Sequence, residues 1–219
     1  MTDERLPQIT LTLALICIGA FLARLVISEL SNLRVDYALG LIPAVITGKS
    51  DLANSVSVVP DAATLATALF LHSSFLHLFG NMLYLWIFGQ AMEDTLGGIR
   101  FFLFYLSCGI VAALSHVAND PASAVPMIGA SGAISGLLGG FLILHPSAKL
   151  LIIAPTRRLR LRTVAVPAAL VLALWLAYQL YNFFAADPLQ PNVAWLAHVG
   201  GFFAGLILAH PFMWTKNRA

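Results

Sequence analysis

Six long apolar runs constrain this chain more than any other feature of its sequence. They span residues 9–27, 71–92, 101–117, 131–144, 164–184 and 195–214. A helix needs about 20 mainly apolar residues to cross a bilayer, and most of the runs have about that length. Only 10% of the residues are charged and 59% are hydrophobic, whereas roughly a quarter of the residues of a soluble domain are charged. We therefore predict an all-α integral membrane protein built as a bundle of six transmembrane helices.

The basic residues are distributed unevenly between the predicted loops. If all six runs cross the membrane, nine of the 12 basic residues lie on one side: Arg5, Arg100, Lys149, Arg157, Arg158, Arg160, Arg162, Lys216 and Arg218. The other three, Arg24, Arg34 and Lys49, lie towards the opposite side. Because cytoplasmic loops carry the excess of Lys and Arg, both termini are predicted to be cytoplasmic.

We expect no division into domains, and the N-terminal residues do not predict a signal or transit peptide. We expect a single transmembrane domain over residues 1–219, without a separate soluble domain, in a bacterial inner (plasma) membrane. The net charge is only +2, and no basic run is interleaved with aromatics, so a nucleic-acid partner is not expected. Cys17 and Cys108 lie inside apolar runs and are predicted to be core residues rather than a disulfide.

The fourth run is too short to cross the membrane. Its 14 residues, from Ser131 to Leu144, make a helix of roughly 21 Å, against about 30 Å of hydrocarbon. The preceding stretch NDPASAVPMIGA contains two prolines and is predicted to be irregular, which at membrane depth requires packing in protein or a wet cavity. We therefore expect Ser131 at a helix N-terminus inside the membrane, on the floor of a cavity that opens to the outer side.

A histidine in the sixth run is predicted to approach Ser131. Each of the two runs carries a stripe of small residues spaced by four: Gly132, Gly136 and Gly140 on one, and Ala197, Gly201 and Gly205 on the other. Such stripes let helix backbones pack closely, and His198 and Ser131 each adjoin the first member of a stripe. A serine within hydrogen-bond reach of a histidine is the minimal activated nucleophile. Alternatively, the serine and glycines serve packing, and the histidine caps a loop carbonyl.

The second run supplies further polar groups. His77 and Asn81 are four residues apart and share one helix face, whereas His72 need not point at the same site. Paired donors in an apolar helix fit the oxyanion of a tetrahedral intermediate. A metal site is the rival interpretation, but the chain has no H-E-x-x-H motif, so we expect no metal and no cofactor.

Three sequence blocks together resemble the rhomboid family of intramembrane serine proteases. They are HSSFLHLFGNM at 72–82, GASG at 129–132 and AHVGGFFAG at 197–205. The resemblance implies a six-helix rhomboid bundle with a membrane-embedded loop, L1, after the first helix; here residues 28–68 are long and apolar enough for it. It also implies that Ser131 is the nucleophile and that His198 is the general base and acid. His77 and Asn81, with the Ser131 backbone N–H and Gly129, would form the oxyanion and substrate-binding region.

The chain departs from the family pattern at two places. Where relatives often carry a Trp-Arg pair in L1, this chain has Ala63 and Thr64. Where they often carry an aromatic that stacks on the catalytic histidine, it has Ser135, which could orient His198 only through hydrogen bonding. The resemblance implies that Glu93 has a structural and not a catalytic role.

The resemblance implies an intramembrane serine endopeptidase that uses a Ser-His dyad. Its substrates would be single-pass transmembrane proteins, cut near the outer membrane boundary after access between the second and fifth helices. Asp187, the nearest acid to His198, is expected to be exposed and not to complete a triad. Two alternatives are a catalytically inactive rhomboid-like protein that binds membrane segments and, less in keeping with a chain that lacks internal repeats, a small transporter.

Overall fold

The computed structural model describes residues 6–155, 161–186 and 193–216, and these residues are mostly helical. In chain order the helices are α1 (Gln8–Leu25), α2 (Glu29–Leu39), α3 (Pro43–Ile46), α4 (Thr64–Thr67), α5 (Phe75–Leu96), α6 (Gly98–Asn119), α7 (Ser131–Leu144), α8 (Ala168–Ala185) and α9 (Trp195–Lys216). Two short 3₁₀ turns, Asp61–Ala63 and Ala68–Phe70, flank α4. An antiparallel hairpin of β1 (Lys149–Pro155) and β2 (Leu161–Pro167) joins α7 to α8.

The long helices have the length and composition of membrane spans. Within the described residues, α1, α6, α8 and α9 each qualify alone. The helical segments at 61–70 and 75–96 meet at an angle of 85° and make a fifth span if counted together. An integral membrane protein is therefore confirmed, with four to five candidate spans by these criteria. The short helix α7 has the bounds that the sequence predicts, Ser131–Leu144.

Two predicted helix starts are wrong. The second helix begins at Phe75 rather than residue 71, because the Ser74 hydroxyl accepts a hydrogen bond from the His77 backbone N–H at 3.2 Å and caps the helix. The fifth begins at Ala168 rather than residue 164. Residues 164–167 belong to β2, since the β-branched residues of this stretch favour strands. The hairpin was not anticipated from the sequence.

The irregular stretch before Ser131 is held by the segment that follows α1. Leu41 and Met127 exchange backbone hydrogen bonds of 3.0 and 2.8 Å, and the Gly129 N–H donates to the Ala68 carbonyl at 2.9 Å. The segment itself is tied to α1, where Arg24 forms an ion pair with Asp36. Backbone polar groups inside a membrane must be satisfied within the protein, and these contacts do so immediately before α7.

Helix α7 lies in the centre of the molecule and packs closely on α9. A Cβ built at Gly201 or Gly205 would overlap the carbonyl group of Gly132 or Gly136, respectively, so the backbones of the two helices are in direct contact. The expected stripe is wrong at one position. Gly140 faces Phe104 and Met92 instead, and its neighbour Gly139 lies against the α9 backbone.

Glu93 joins α5 to the N-terminus of α1. Its carboxylate is 8% exposed and accepts hydrogen bonds from the Ile9 N–H at 2.9 Å and from the Thr10 N–H and hydroxyl at 2.8 Å each. The first N–H groups of a helix have no intrahelical acceptor, so the carboxylate caps α1 and compensates its dipole. These contacts are structural, in keeping with the role that the resemblance implies.

Cys17 and Cys108 are buried free thiols, and both belong to the apolar core. The prediction that they are core residues is confirmed. Of the basic residues used to orient the chain, Arg5, Arg157, Arg158, Arg160 and Arg218 lie outside the described residues.

Candidate active site

Ser131 and His198 are in hydrogen-bond contact. The Ser131 Oγ lies 2.8 Å from the His198 Nε2. Ser131 is the first residue of α7, so its backbone N–H is one of the groups that a helix leaves without an intrahelical acceptor. The close approach of α7 and α9 brings the two side chains together from positions 67 residues apart in the chain.

The second ring nitrogen of His198 contacts a residue that the sequence analysis missed. The His198 Nδ1 lies 2.8 Å from the Gln179 Oε1, on α8. The Gln179 side chain is only 4% exposed. Because an amide oxygen can only accept, the Nδ1 carries the proton in this arrangement, and the Nε2 lone pair faces the Ser131 hydroxyl. The signal in the sequence was a carboxamide residue inside an apolar helix, where polar side chains are rare.

The Ser135 hydroxyl makes its described hydrogen bond to the backbone of its own helix and not to His198. It donates to the Ser131 carbonyl at 2.7 Å, one turn back along α7. Two tryptophans instead flank the imidazole: the ring of Trp175 on α8 lies 6.3 Å from it and that of Trp195 on α9 lies 6.0 Å away, nearly perpendicular. The aromatic environment of His198 therefore comes from α8 and α9 rather than from α7.

His77, Asn81 and Gly129 lie together beside Ser131. Gly129 has φ +124°, a conformation that favours glycine. A Cβ there would lie 2.7 Å from the His77 Nε2 and 3.9 Å from the Asn81 Nδ2. In the part of the chain that the structure describes, the buried Asn81 Nδ2 has no hydrogen-bond partner. An unpaired buried donor is costly, so this amide group is available for an acceptor that enters the cavity.

The two histidines near the start of α5 have different positions. The His77 Nδ1 contacts the Ser73 hydroxyl at 3.2 Å, which leaves its Nε2 directed towards Gly129. His72 precedes the helix, is fully buried, and its ring lies 5.0 Å from that of His77. The structure does not place His72 among the residues that line the cavity.

These groups surround one open cavity of about 290 Å³. It is lined from α5 by Leu76, His77, Gly80, Asn81 and Tyr84, from α7 by Ser131, Ile134, Ser135 and Leu138, from α8 by Trp175 and Gln179, and from α9 by Trp195 and His198. The arrangement combines a serine, a base and an unpaired donor in a mostly apolar chamber. Asp187 lies outside the described residues.

Comparison with known proteins agrees with the family resemblance that the sequence motifs indicate. A family model described as the Rhomboid domain matches residues 60–215. The chain is 33% identical over 147 residues to rhomboid protease GluP of Bacillus subtilis, covering 67% of this chain and 26% of that protein. It is 39% identical over 87 residues to the mitochondrial rhomboid protein 1 of Saccharomyces cerevisiae, covering 38% of this chain and 25% of that protein. It is 32% identical over 150 residues to RHOMBOID-like protein 1 of Arabidopsis thaliana, covering 68% of this chain and 34% of that protein. The chain thus spans a quarter to a third of the length of these relatives.

Proposed function

The chain belongs to the rhomboid family, and on this premise we propose that it is an intramembrane serine endopeptidase that works through a Ser131–His198 dyad. The observation that carries the proposal is the 2.8 Å contact between the Ser131 Oγ and the His198 Nε2. A serine and a histidine in this contact match the geometry of an activated nucleophile. Protease-named relatives such as GluP support the same chemistry.

In the proposed reaction Ser131 attacks a peptide carbonyl while His198 takes the hydroxyl proton at its Nε2. The tetrahedral intermediate collapses when His198 gives this proton to the leaving amine, which departs and leaves an acyl-enzyme. A water molecule then attacks the ester while His198 takes a proton from it. The ester bond breaks, His198 returns this proton to the Ser131 Oγ, and the carboxylic acid product departs. The dyad ends in its starting state.

The oxyanion is stabilised by donors from two elements. The Ser131 backbone N–H lies at the N-terminus of α7, whose dipole favours negative charge. The Asn81 Nδ2 has no partner among the described residues, and the His77 Nε2 lies beside Gly129. Each such donor contributes about 3–4 kcal/mol to transition-state stabilisation in comparable sites.

The substrate is a single-pass transmembrane protein that reaches the cavity sideways between α5 and α8. Both helices line the cavity, and Gly80 on α5 has open space where a side chain would be. Partial unwinding of the substrate near its outer membrane boundary exposes the scissile bond, and the family resemblance favours a small residue before the cut.

The proposed architecture completes the rhomboid plan. Helix α5 and the short helix α7 count as the second and fourth of six membrane helices, and the segment 28–68 is the L1 loop. Residues 1–219 form one transmembrane domain in a bacterial inner membrane, with cytoplasmic termini and the cavity open to the outer side. The reaction uses no metal or cofactor.

Cleavage of a model single-pass substrate by the purified protein in detergent tests the proposal, with Ser131→Ala and His198→Ala as inactive controls. Cutting by the wild type alone, near the outer boundary, supports the dyad. Cutting by Ser131→Ala contradicts the nucleophile assignment. If the wild type does not cut the substrate either, labelling of Ser131 by a fluorophosphonate distinguishes two explanations. A reactive serine supports a protease that was offered the wrong substrate. An unreactive serine supports the inactive protein that binds membrane segments.

A further inference from the structure

We propose that Gln179 is a positioning residue, which holds His198 in the tautomer and ring orientation that lets its Nε2 accept the Ser131 proton. The inference rests on the proposed function. It adds a third side chain, from a third helix, to a pair otherwise described as a dyad.

The geometry of the contacts carries the argument. The Gln179 Oε1, the imidazole of His198 and the Ser131 Oγ form a chain of two hydrogen bonds, each 2.8 Å long. A neutral imidazole has one N–H donor and one acceptor nitrogen. With the donor fixed at Nδ1 by the amide oxygen, the acceptor is the Nε2 that faces the serine. The other tautomer would donate to the serine and could not receive its proton.

Burial makes this preference strong. Gln179 is 4% exposed and His198 is partly buried, so an imidazole N–H that lost its amide acceptor would leave a costly unpaired donor unless water replaced the amide. During the reaction the imidazole becomes positively charged, and the Nδ1–H bond to the amide oxygen becomes a stronger, charge-assisted bond. A neutral amide achieves this without an ionised carboxylate, whose burial in an apolar helix is costly.

The same helix also places an aromatic ring near the imidazole. Trp175 lies one turn before Gln179 on α8, 6.3 Å from the His198 ring and 5.9 Å from the ring of Phe202. Trp175 contributes apolar packing near the imidazole, whereas Gln179 specifies which nitrogen carries the proton. Only the second role depends on the oxygen of the side chain, and this difference makes the two roles separable by substitution.

Two substitutions of similar size separate hydrogen bonding from packing. Gln179→Leu removes the acceptor, and Gln179→Glu keeps an oxygen at its position. Asn182→Leu is the matched control, because it removes a carboxamide from α8 whose only described bond is to the Tyr178 carbonyl, at 2.7 Å. For each purified full-length variant, kcat and KM for the model substrate, the rate of fluorophosphonate labelling of Ser131 and the thermal unfolding midpoint are measured.

We expect Gln179→Leu to lower kcat and the labelling rate by about 10- to 100-fold, the value of one buried hydrogen bond, with KM close to wild type and the unfolding midpoint lowered by a few degrees at most. Gln179→Glu should retain activity, and the acid limb of its pH–rate profile should move to higher pH, because a carboxylate stabilises the protonated imidazole. His77 and Tyr84, both on α5, are the other titratable side chains that line the cavity with His198. Asn182→Leu should match the wild type.

Three results would overturn the inference: wild-type kcat and labelling in Gln179→Leu, equal losses in Gln179→Leu and Gln179→Glu with an unmoved pH profile, or an equal loss in Asn182→Leu. If Gln179→Leu does not fold, the rate and pH profile of Gln179→Glu decide alone. These outcomes are distinct from failure of the proposed function, in which the wild type itself neither cuts nor labels.

Discussion

Replacing Gly201 by alanine tests whether close packing of α7 on α9 keeps Ser131 within reach of His198. A Cβ at Gly201 would lie 3.1 Å from the Gly132 carbonyl carbon, closer still to its oxygen, and 3.3 Å from the Ala112 Cβ. Unstrained contacts between such atoms are about 3.5–4.0 Å long. Because the contact with the carbonyl oxygen is the shortest, it sets the displacement, and the helices must separate by more than about 1 Å. Because Gly201 is three residues from His198 and Gly132 adjoins Ser131, this displacement lengthens the 2.8 Å contact between the Ser131 Oγ and the His198 Nε2.

A misplacement of about 1 Å can reduce a rate about 100-fold, so fluorophosphonate labelling and substrate cleavage should both fall by that order in Gly201→Ala. Overpacking should also cost about 1–3 kcal/mol of stability, measured by unfolding in detergent. Gly19→Ala is the control, since a Cβ at this position in α1 meets nothing within 4 Å. Labelling of Gly201→Ala within about threefold of Gly19→Ala would refute the reasoning, because a loss of about 100-fold is expected.

Three further substitutions probe the oxyanion groups and the anchoring of α1. Asn81→Leu should lower kcat by about 100- to 1,000-fold with little change in KM, the effect of removing one oxyanion donor; steady-state kinetics would show the error if KM alone rose. Gly129→Ala should abolish cleavage, because the new methyl group would lie 2.7 Å from the His77 Nε2 in a strained backbone; a cleavage assay with normal turnover would contradict the assigned geometry. Glu93→Gln should cost about 1.5–3 kcal/mol of unfolding free energy, since one amide cannot accept all three bonds that the carboxylate accepts. Glu29→Gln, on the exposed start of α2, should cost less than about 1 kcal/mol, and equal losses in the two variants would reject the capping role.

Several features of the fold were readable from local sequence. The bounds of α7 follow from composition and from the His-Pro pair that ends the apolar run. The start of α5 was not readable from local sequence, because it depends on the 85° bend that precedes the helix and on the Ser74 cap at that bend. The β1–β2 hairpin was missed because its apolar β-branched residues resemble one end of a membrane helix when counted by hydropathy.

The candidate site divides in a similar way. Ser131, His198, His77, Asn81 and Gly129 could be named from motifs, since their spacing along single helices and loops is a local property. The partner of the His198 Nδ1 could not be named. A lone glutamine in an apolar helix shows that some polar contact is needed, but not which one. The sequence also could not show which acceptor the Ser135 hydroxyl uses, and in the structure it donates to the Ser131 carbonyl one turn back along α7.

The sequence by itself determined that the chain lies in a membrane, that α7 is short, and which family's motifs it carries, because hydropathy, helix length and motif spacing are properties of contiguous residues. Tertiary structure decided which side chains touch. It set the 2.8 Å contacts of His198 with Ser131 and Gln179, the Asn81 donor that has no partner within the described ranges and the tryptophans around the imidazole. These depend on how far apart α7, α8 and α9 lie and how each is rotated about its axis. Packing between helices fixes both quantities, and no single segment encodes them.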